Sequence, residues 1–346
     1  MNVPLFLPRL TDTECNNITL IAVDIGGTKT NFGLYKSNNQ KVELLKEGTY
    51  ASQEYSSFSD VVKMFISENQ IAGVDRISIG VAGPVLDGKV HTTNLPWEID
   101  KRILLQDIGV KEVGLVNDLE ATAYGLNNIH EEYLATIYAG ADDAKGNIAI
   151  LAPGTGLGEA AMYWDGKAYR PFATEGGHSE FSPRSEQDIE LYQYLKNEFG
   201  IVSWEHLISG PGIYNIYTFL RDVKGEKEPV WLTERLAQED PSMVISHTAI
   251  RELNATCVHT MNLFVHYMAR EATSLVLKTK ATGGLFLGGG IPPKIYPLLR
   301  NDLFHQQFVE SDRMEKLLKN IPIRLILNSK TALIGAAYYG AFGATE

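Results

Sequence analysis

The residues best placed to do chemistry are glycines and acids gathered where apolar runs end. Five clusters stand out: Asp24-Ile25-Gly26-Gly27-Thr28-Lys29, Gly154-Thr155-Gly156-Leu157-Gly158, Glu175-Gly176-Gly177-His178, Ser209-Gly210-Pro211-Gly212 and Gly288-Gly289-Gly290-Ile291-Pro292. Glycine tolerates positive φ and has no Cβ to hold a ligand away. Successive backbone N–H groups in such loops can converge on phosphate oxygens. A tight hairpin uses the same residues, so one cluster alone reads first as a turn. Two strand–turn–strand units, D-x-G-G-T in one half and G-T-G-x-G in the other, are more specific. They point to a nucleotide gripped from both sides, across a cleft between two domains. Asp118 follows the apolar run Leu115-Val116 and opens a helix. By spacing alone, an aspartate there reads as a helix cap.

Other nucleotide-binding patterns are excluded. There is no G-x-x-x-x-G-K-[ST], and Gly154–Gly158 is not the dinucleotide G-x-G-x-x-G. Neither H-R-D nor D-F-G occurs.

These clusters need strands and helices to hold them. Ile18–Ile25, Thr30–Tyr35 and Val42–Tyr50 read as a three-strand meander, with a turn at Ser37–Asn39. Phe58–Ser67 has helical spacing, Arg76–Val81 and Gly114–Val116 read as strands, and Asp118–Leu126 as a helix. The second half restarts with Asn147–Ala152, a glycine turn and Glu159–Trp164, followed by a hairpin signal at Asp165-Gly166. Ser185–Phe199, Gly212–Val223 and one long region, Ser242–Lys280, read as helical. Leu285–Leu287 and Ile323–Leu327 read as strands. Lys330–Phe342 is a small-residue helix suited to close packing on a sheet. The alternation predicts an α/β fold.

Composition agrees. The 346 residues suit two domains at roughly 100–200 residues each. The 31 basic against 42 acidic residues give a net charge of −11, which argues against a nucleic-acid partner. Two cysteines, Cys15 and Cys257, exclude a disulfide scaffold or a zinc cluster. Apolar stretches fall short of the ~18–20 residues that span a bilayer, and the N-terminus lacks signal-peptide features. A soluble, cytoplasmic protein without a membrane partner is expected.

The motifs DIGGTKT (24–30), VAGPV (81–85), VNDLEATAYG (116–125), PGTGLGEA (153–160), EGGHSEF (175–181), SWEHLISGPGIYNIY (203–217) and FLGGGIPP (286–293) occur in this order. Together they resemble the bacterial, non-ROK glucokinase family of the acetate and sugar kinase/actin superfamily. Related ROK kinases usually carry a cysteine-rich zinc motif after the E-G-G-H segment; Ser179–Arg184 has no cysteine, so zinc is not expected. Lys29 and Pro153 depart from the family's usual loop residues.

The resemblance implies a two-domain actin-like ATPase (ribonuclease H-like) fold with a ligand cleft between the domains. The small domain would be 1–128 plus 329–346, the large one 129–328. It implies ATP and Mg²⁺, a homodimer, and phosphorylation of the 6-hydroxyl of glucose. Asp118 matches the catalytic aspartate that accepts the hydroxyl proton. Asn94, Asn117, Asp118, Glu175, His178 and Glu205 match sugar-binding positions. Asp24 would orient Mg²⁺, directly or through water. Gly26, Gly27 and Thr28 would hold one end of the triphosphate, and Gly154, Thr155 and Gly156 the other. Gly210, Gly212, Gly289 and Gly290 would line the adenosine pocket. Trp97 reads as a packing residue. Two alternatives stay open: a kinase for another hexose (mannose, fructose or an N-acetylhexosamine), or a non-catalytic sugar sensor on the same fold.

Overall fold

The structure, a computed structural model, describes residues 3–92, 95, 97–127 and 129–343. The chain divides into two compact units, one of 1–131, 162–173 and 328–346, the other of 132–161 and 174–327.

The first unit is built on a five-stranded sheet. Its strands are β1 (Thr19–Ile25), β2 (Lys29–Asn38), β3 (Lys41–Ala51), β4 (Arg76–Val81) and, after the small hairpin β5 (Lys89–His91) and β6 (Glu98–Asp100), β7 (Glu112–Asn117). The sheet order is β3-β2-β1-β4-β7. Strands β1, β4 and β7 run parallel, and β1, β2 and β3 form an antiparallel meander. The central strand β1 is buried on both faces from Leu20 to Val23, so its sequence reads as a continuous apolar run. Edge strand β3 instead carries exposed Lys41, Glu43, Lys46 and Glu47, the charges that discourage edge-to-edge pairing. The meander turn falls at Asn39-Gln40, both at positive φ, rather than at Ser37–Asn39. Ser37 is held in β2 because its hydroxyl is buried and donates to Cys15 O at 2.5 Å.

Helices α1 (Phe58–Glu68), α2 (Lys101–Ile108) and α3 (Asp118–Gly125) belong to this unit, as does the last helix, Thr331–Phe342. A Cβ on Gly335 would collide with Ala121 O, and one on Gly125 with Thr331 O. The small residues therefore let α3 and the last helix meet backbone to backbone. Residues before β1 dock on the same unit: Phe6 N donates to Tyr169 O at 2.8 Å and Arg9 N to Phe342 O at 2.9 Å.

The second sheet has the order β11-β10-β9-β12-β13-β8. Its strands are β8 (Leu134–Tyr138), β9 (Ile148–Pro153), β10 (Leu157–Trp164), β11 (Tyr169–Thr174), β12 (Gly284–Leu287) and β13 (Ile323–Ile326). β12 is parallel to β9 and β13. Helices α4 (Glu186–Phe199), α5 (Gly210–Asp222), α6 (Val230–Gln238), α7 (Pro241–Ile250) and α8 (Ala255–Thr279) follow, with short helices Tyr296–Leu299, Asp302–Val309 and Glu315–Leu318.

The expected single helical region from Ser242 to Lys280 is two helices. Glu252 takes φ +54 between them. Asn254 then caps α8, its Oδ1 accepting from Cys257 N at 2.9 Å. Met261, Phe264, Tyr267 and Met268 have no exposed surface and form core, so they present no face to a second copy. No helix among the described residues is long and apolar enough to cross a membrane.

Candidate active site

Register places the first unit's candidates together. Asp24 pairs with Gly80, Ile25 with Val81, and Val81 with Asn117. Asp24 and the Asn117–Asp118 pair thus sit at the carboxyl ends of three adjacent parallel strands, the edge where open α/β sheets hold ligands. The turn Gly26–Thr28 closes through Gly26 N donating to Lys29 O at 3.0 Å. Ser52 supports it from below. Its Oγ donates to Gly26 O at 2.9 Å and lies 2.9 Å from Thr30 Oγ1, and its N donates to Thr28 O at 3.0 Å. Ser52 stands after β3, 24 positions or more from the loop it braces, so no local pattern marks it.

Asp24 is half-buried and accepts from Asn31 Nδ2 at 3.2 Å. Burial pushes its carboxyl above the ordinary carboxylate range, and the Asn31 hydrogen bond works against that rise. A carboxylate whose charge is disfavoured in this way gains from a nearby cation, so the residue fits Mg²⁺. No cluster of three His, Cys, Asp or Glu placed for a metal occurs among the described residues.

The helix cap at α3 is Asn117, not Asp118. Asn117 Oδ1 accepts from Leu119 N at 2.8 Å, and Glu120 Oε2 accepts from Asn117 N at 3.3 Å, a reciprocal capping box. Asp118 is the first helical residue, half-buried, where the helix dipole favours a carboxylate. Asn117 Nδ2 donates to Gly83 O at 3.3 Å. Burial raises the Glu120 carboxyl, and backbone N–H groups of Asn117 and Ala173 hold it down. Glu120 was legible only as the N-x-x-E spacing. Asn94 lies outside the described residues. Trp97 is buried against Phe58, with Nε1 donating to Tyr55 O at 3.0 Å, a packing residue as expected.

In the second unit the glycine loop after β9 is pinned at both ends. Gly154 N donates to Gly156 O, and Gly210 N, at the start of α5, donates to Gly154 O, each at 2.8 Å. Glu205 Oε2 accepts from Leu157 N at 2.8 Å and presses on Gly156, where a Cβ would collide with it. The turn Gly176–His178 is joined to the same frame. Trp204 N donates to Ser179 O at 3.0 Å, Phe181 N to Val202 O at 2.9 Å, and the Phe181 and Trp204 rings pack edge-on at 5.0 Å. Glu175 and His178 are exposed and Glu205 half-buried. The structure therefore gathers Glu175, His178, Glu205 and the Gly154–Gly156 loop on one framework.

Beside that loop lies a cavity of about 440 Å³. Gly154, Thr155, Gly210 and Gly290 line it, with Pro211, Tyr214, Asp240, Pro241, Ser242, Ile291 and Lys294. Its size and its mix of flat backbone, one aromatic ring and a few polar groups suit a nucleoside. Two glycines expected here lie outside the lining. Gly212 is buried against the Leu207 backbone and donates to Ser209 Oγ at 3.0 Å, so its absent Cβ serves packing. Gly289 takes φ +78 against Pro153 O, which turns the chain out of β12. Asp240 caps α7, accepting from Met243 N at 2.9 Å and Ser242 Oγ at 2.5 Å. The Ser242 bond leads in holding its carboxyl below the ordinary range.

Comparison with known proteins identifies the family and the fold. A family model described as Glucokinase matches residues 21–341. A glucokinase of Synechocystis sp. is 37% identical over 349 residues, covering 94% of this chain and 98% of that protein. The crystal structure of a glucokinase from an Antarctic psychrotroph aligns with a TM-score of 0.77 at 29% identity, covering 92% of this chain and 98% of that one. A Balamuthia mandrillaris glucokinase, solved in complex with glucose, shares the fold, with a TM-score of 0.77 at 18% identity over 97% of each chain. With the family model spanning nearly the whole chain, a relative 37% identical over almost its full length, and the actin-like ATPase fold shared with these neighbours, the chain belongs to the glucokinase family.

Proposed function

We propose that this protein transfers the γ-phosphoryl group of ATP to the 6-hydroxyl of glucose, giving glucose 6-phosphate and ADP. The hydroxyl oxygen attacks phosphorus, the bond to the β-bridging oxygen breaks, and the hydroxyl proton passes to the Asp118 carboxylate. Asn117, Glu175, His178 and Glu205, with Asn94, bind the sugar hydroxyls. Such polar groups left unpaired would reject an analogue that lacks the hydroxyl. Gly26, Gly27 and Thr28 hold one end of the triphosphate, and Gly154, Thr155 and Gly156 the other. Asp24 would hold Mg²⁺, directly or through water, and the ion would supply charge neutralisation at the phosphates. Adenosine occupies the cavity beside Gly210 and Gly290, with Tyr214 and Asp240 at its wall. The small domain is 1–128 plus 329–346 and the large one 129–328, except that residues 162–173 belong to the first compact unit. The working state is a cytoplasmic homodimer.

The observation that carries this reading is the bond from Leu157 N to Glu205. It fastens a carboxylate of the sugar set to the glycine loop of the phosphate set. Asp118→Asn tests it. Turnover is expected to fall by about 10²–10⁴-fold, the usual contribution of a general base, while glucose still binds by calorimetry. Turnover near wild type in a folded variant would remove Asp118 from the role. ADP release measured across hexoses separates glucose from the other sugars.

A further inference from the structure

Beneath the turn that carries Glu175 and His178 lies a buried pair of acids that the proposed reaction does not use. Glu159 on β10 is 3% exposed and Glu271 on α8 is wholly buried. Glu159 Oε1 and both carboxyl oxygens of Glu271 have no hydrogen-bond partner. Two ionised carboxylates are acceptors only and cannot bond to each other, but one proton between them supplies the missing donor. We propose that Glu159 and Glu271 share a single proton, and that this pair is a positioning element that seats the Glu175–His178 turn for sugar binding.

One contact seats the turn on a carboxyl of the pair, and two more tie its entry to the Glu159 backbone. A Cβ on Gly176 would collide with Glu159 Oε2, so the turn rests directly on this carboxyl. Thr174 Oγ1 donates to Glu159 O at 3.2 Å, and Gly176 N donates to Thr174 Oγ1 at 3.1 Å. The floor and the entry of the turn are thus both set by Glu159. The charged group acting on both acids is Lys278, whose Nζ lies 3.7 Å from Glu271 Oε1 at the protein surface. At that distance, and mostly in solvent, it does not replace a hydrogen bond. Burial raises both carboxyls well above the ordinary range, and the charge on Glu159 raises Glu271 further. The first proton is therefore retained where exposed acids have lost theirs, and the two ionisations belong to the pair. Once the second ionisation is complete, two like charges face each other under Gly176, and the turn loses its seat.

The proposal rests on the glucose reading for its kinetic arm and is independent of it for its spectroscopic arm. The test compares wild type with Glu271→Gln between about pH 6 and about pH 9, the range in which strongly raised buried glutamates ionise. The amide of the variant donates to Glu159 in place of the shared proton, and no second like charge can form beneath Gly176. KM for glucose in wild type is expected to rise several-fold toward alkaline pH, with a smaller change in kcat, and the variant is expected to keep its acid-side KM throughout. Infrared spectroscopy at neutral pH should show a protonated carboxyl band in wild type that shifts or weakens in the variant. A variant whose KM profile follows wild type, or wild type without the neutral-pH carboxyl band, would overturn the shared proton. If no sugar stimulates ADP release at any pH, the glucose reading fails, and the infrared band still decides the pair. Glu159→Gln gives the same comparison from the other side should Glu271→Gln not fold.

Discussion

The two glycine loops look alike in sequence and are supported in opposite ways. The turn after β1 rests on hydroxyls and backbone, chiefly Ser52 and Thr30, all neutral. The loop after β9 rests on a carboxylate, Glu205, and on the start of α5 through Gly210. A neutral brace holds shape and is indifferent to what the sugar site contains. A carboxylate brace links loop geometry to any group that competes for its oxygens. The first loop should therefore report on nucleotide alone, the second on nucleotide and sugar together.

Between the two loops, the larger expected effect comes from filling the space between Glu205 and its loop. Gly156→Ala should displace the carboxylate and lower kcat/KM about 10²-fold, the scale set by a misplacement of about 1 Å. Steady-state kinetics should show KM rising for both substrates; a rise for ATP alone would break the contrast. Ser52→Ala should act on the other loop. It removes the donor to Gly26 O and the partner of buried Thr30 Oγ1, which costs about 1–3 kcal/mol by denaturant unfolding. KM for ATP should rise while KM for glucose stays within error.

The smallest effect is a pH dependence confined to the second unit. The folded Glu159–Glu271 pair titrates above the ordinary value of 4.5, so above that pH the native state binds more protons than the unfolded chain. The stability contribution present below it is lost as pH rises. Glu271→Gln removes one of these sites, so thermal melts of wild type should fall relative to the variant with rising pH. A constant gap between the two melting curves would contradict this.

Both strand–turn–strand units were legible because their information is local: an apolar run, then residues that only a tight turn needs. Asp118 could be placed after β7 for the same reason, but its cap could not. Asn117 and Asp118 are both good caps by type, and only the fold shows that Asn117 Oδ1 meets Leu119 N. The break at Glu252 carries no proline or glycine, and its one local mark is Asn254, the cap of α8. Gly212 reads as a ligand glycine in sequence because packing glycines and ligand glycines share one physical requirement, the absence of a Cβ. Ser52 and the cavity residues Tyr214, Asp240 and Lys294 were invisible because distant segments assemble them. The Glu159–Glu271 pair escaped for that reason as well, lying on one strand and one helix 112 positions apart.

The contact of α3 with the last helix has a consequence for how the protein is made. Chains fold as they leave the ribosome, N-terminal parts first. Here the helix that begins with Asp118 closes against Thr331–Phe342, a segment synthesised after the whole of the second unit. The first part of that unit emerges early and waits, with one side of α3 uncovered, until those last residues arrive. A chain that stops short of residue 331 would carry every proposed catalytic and binding residue and still lack the support that holds Asp118 in place.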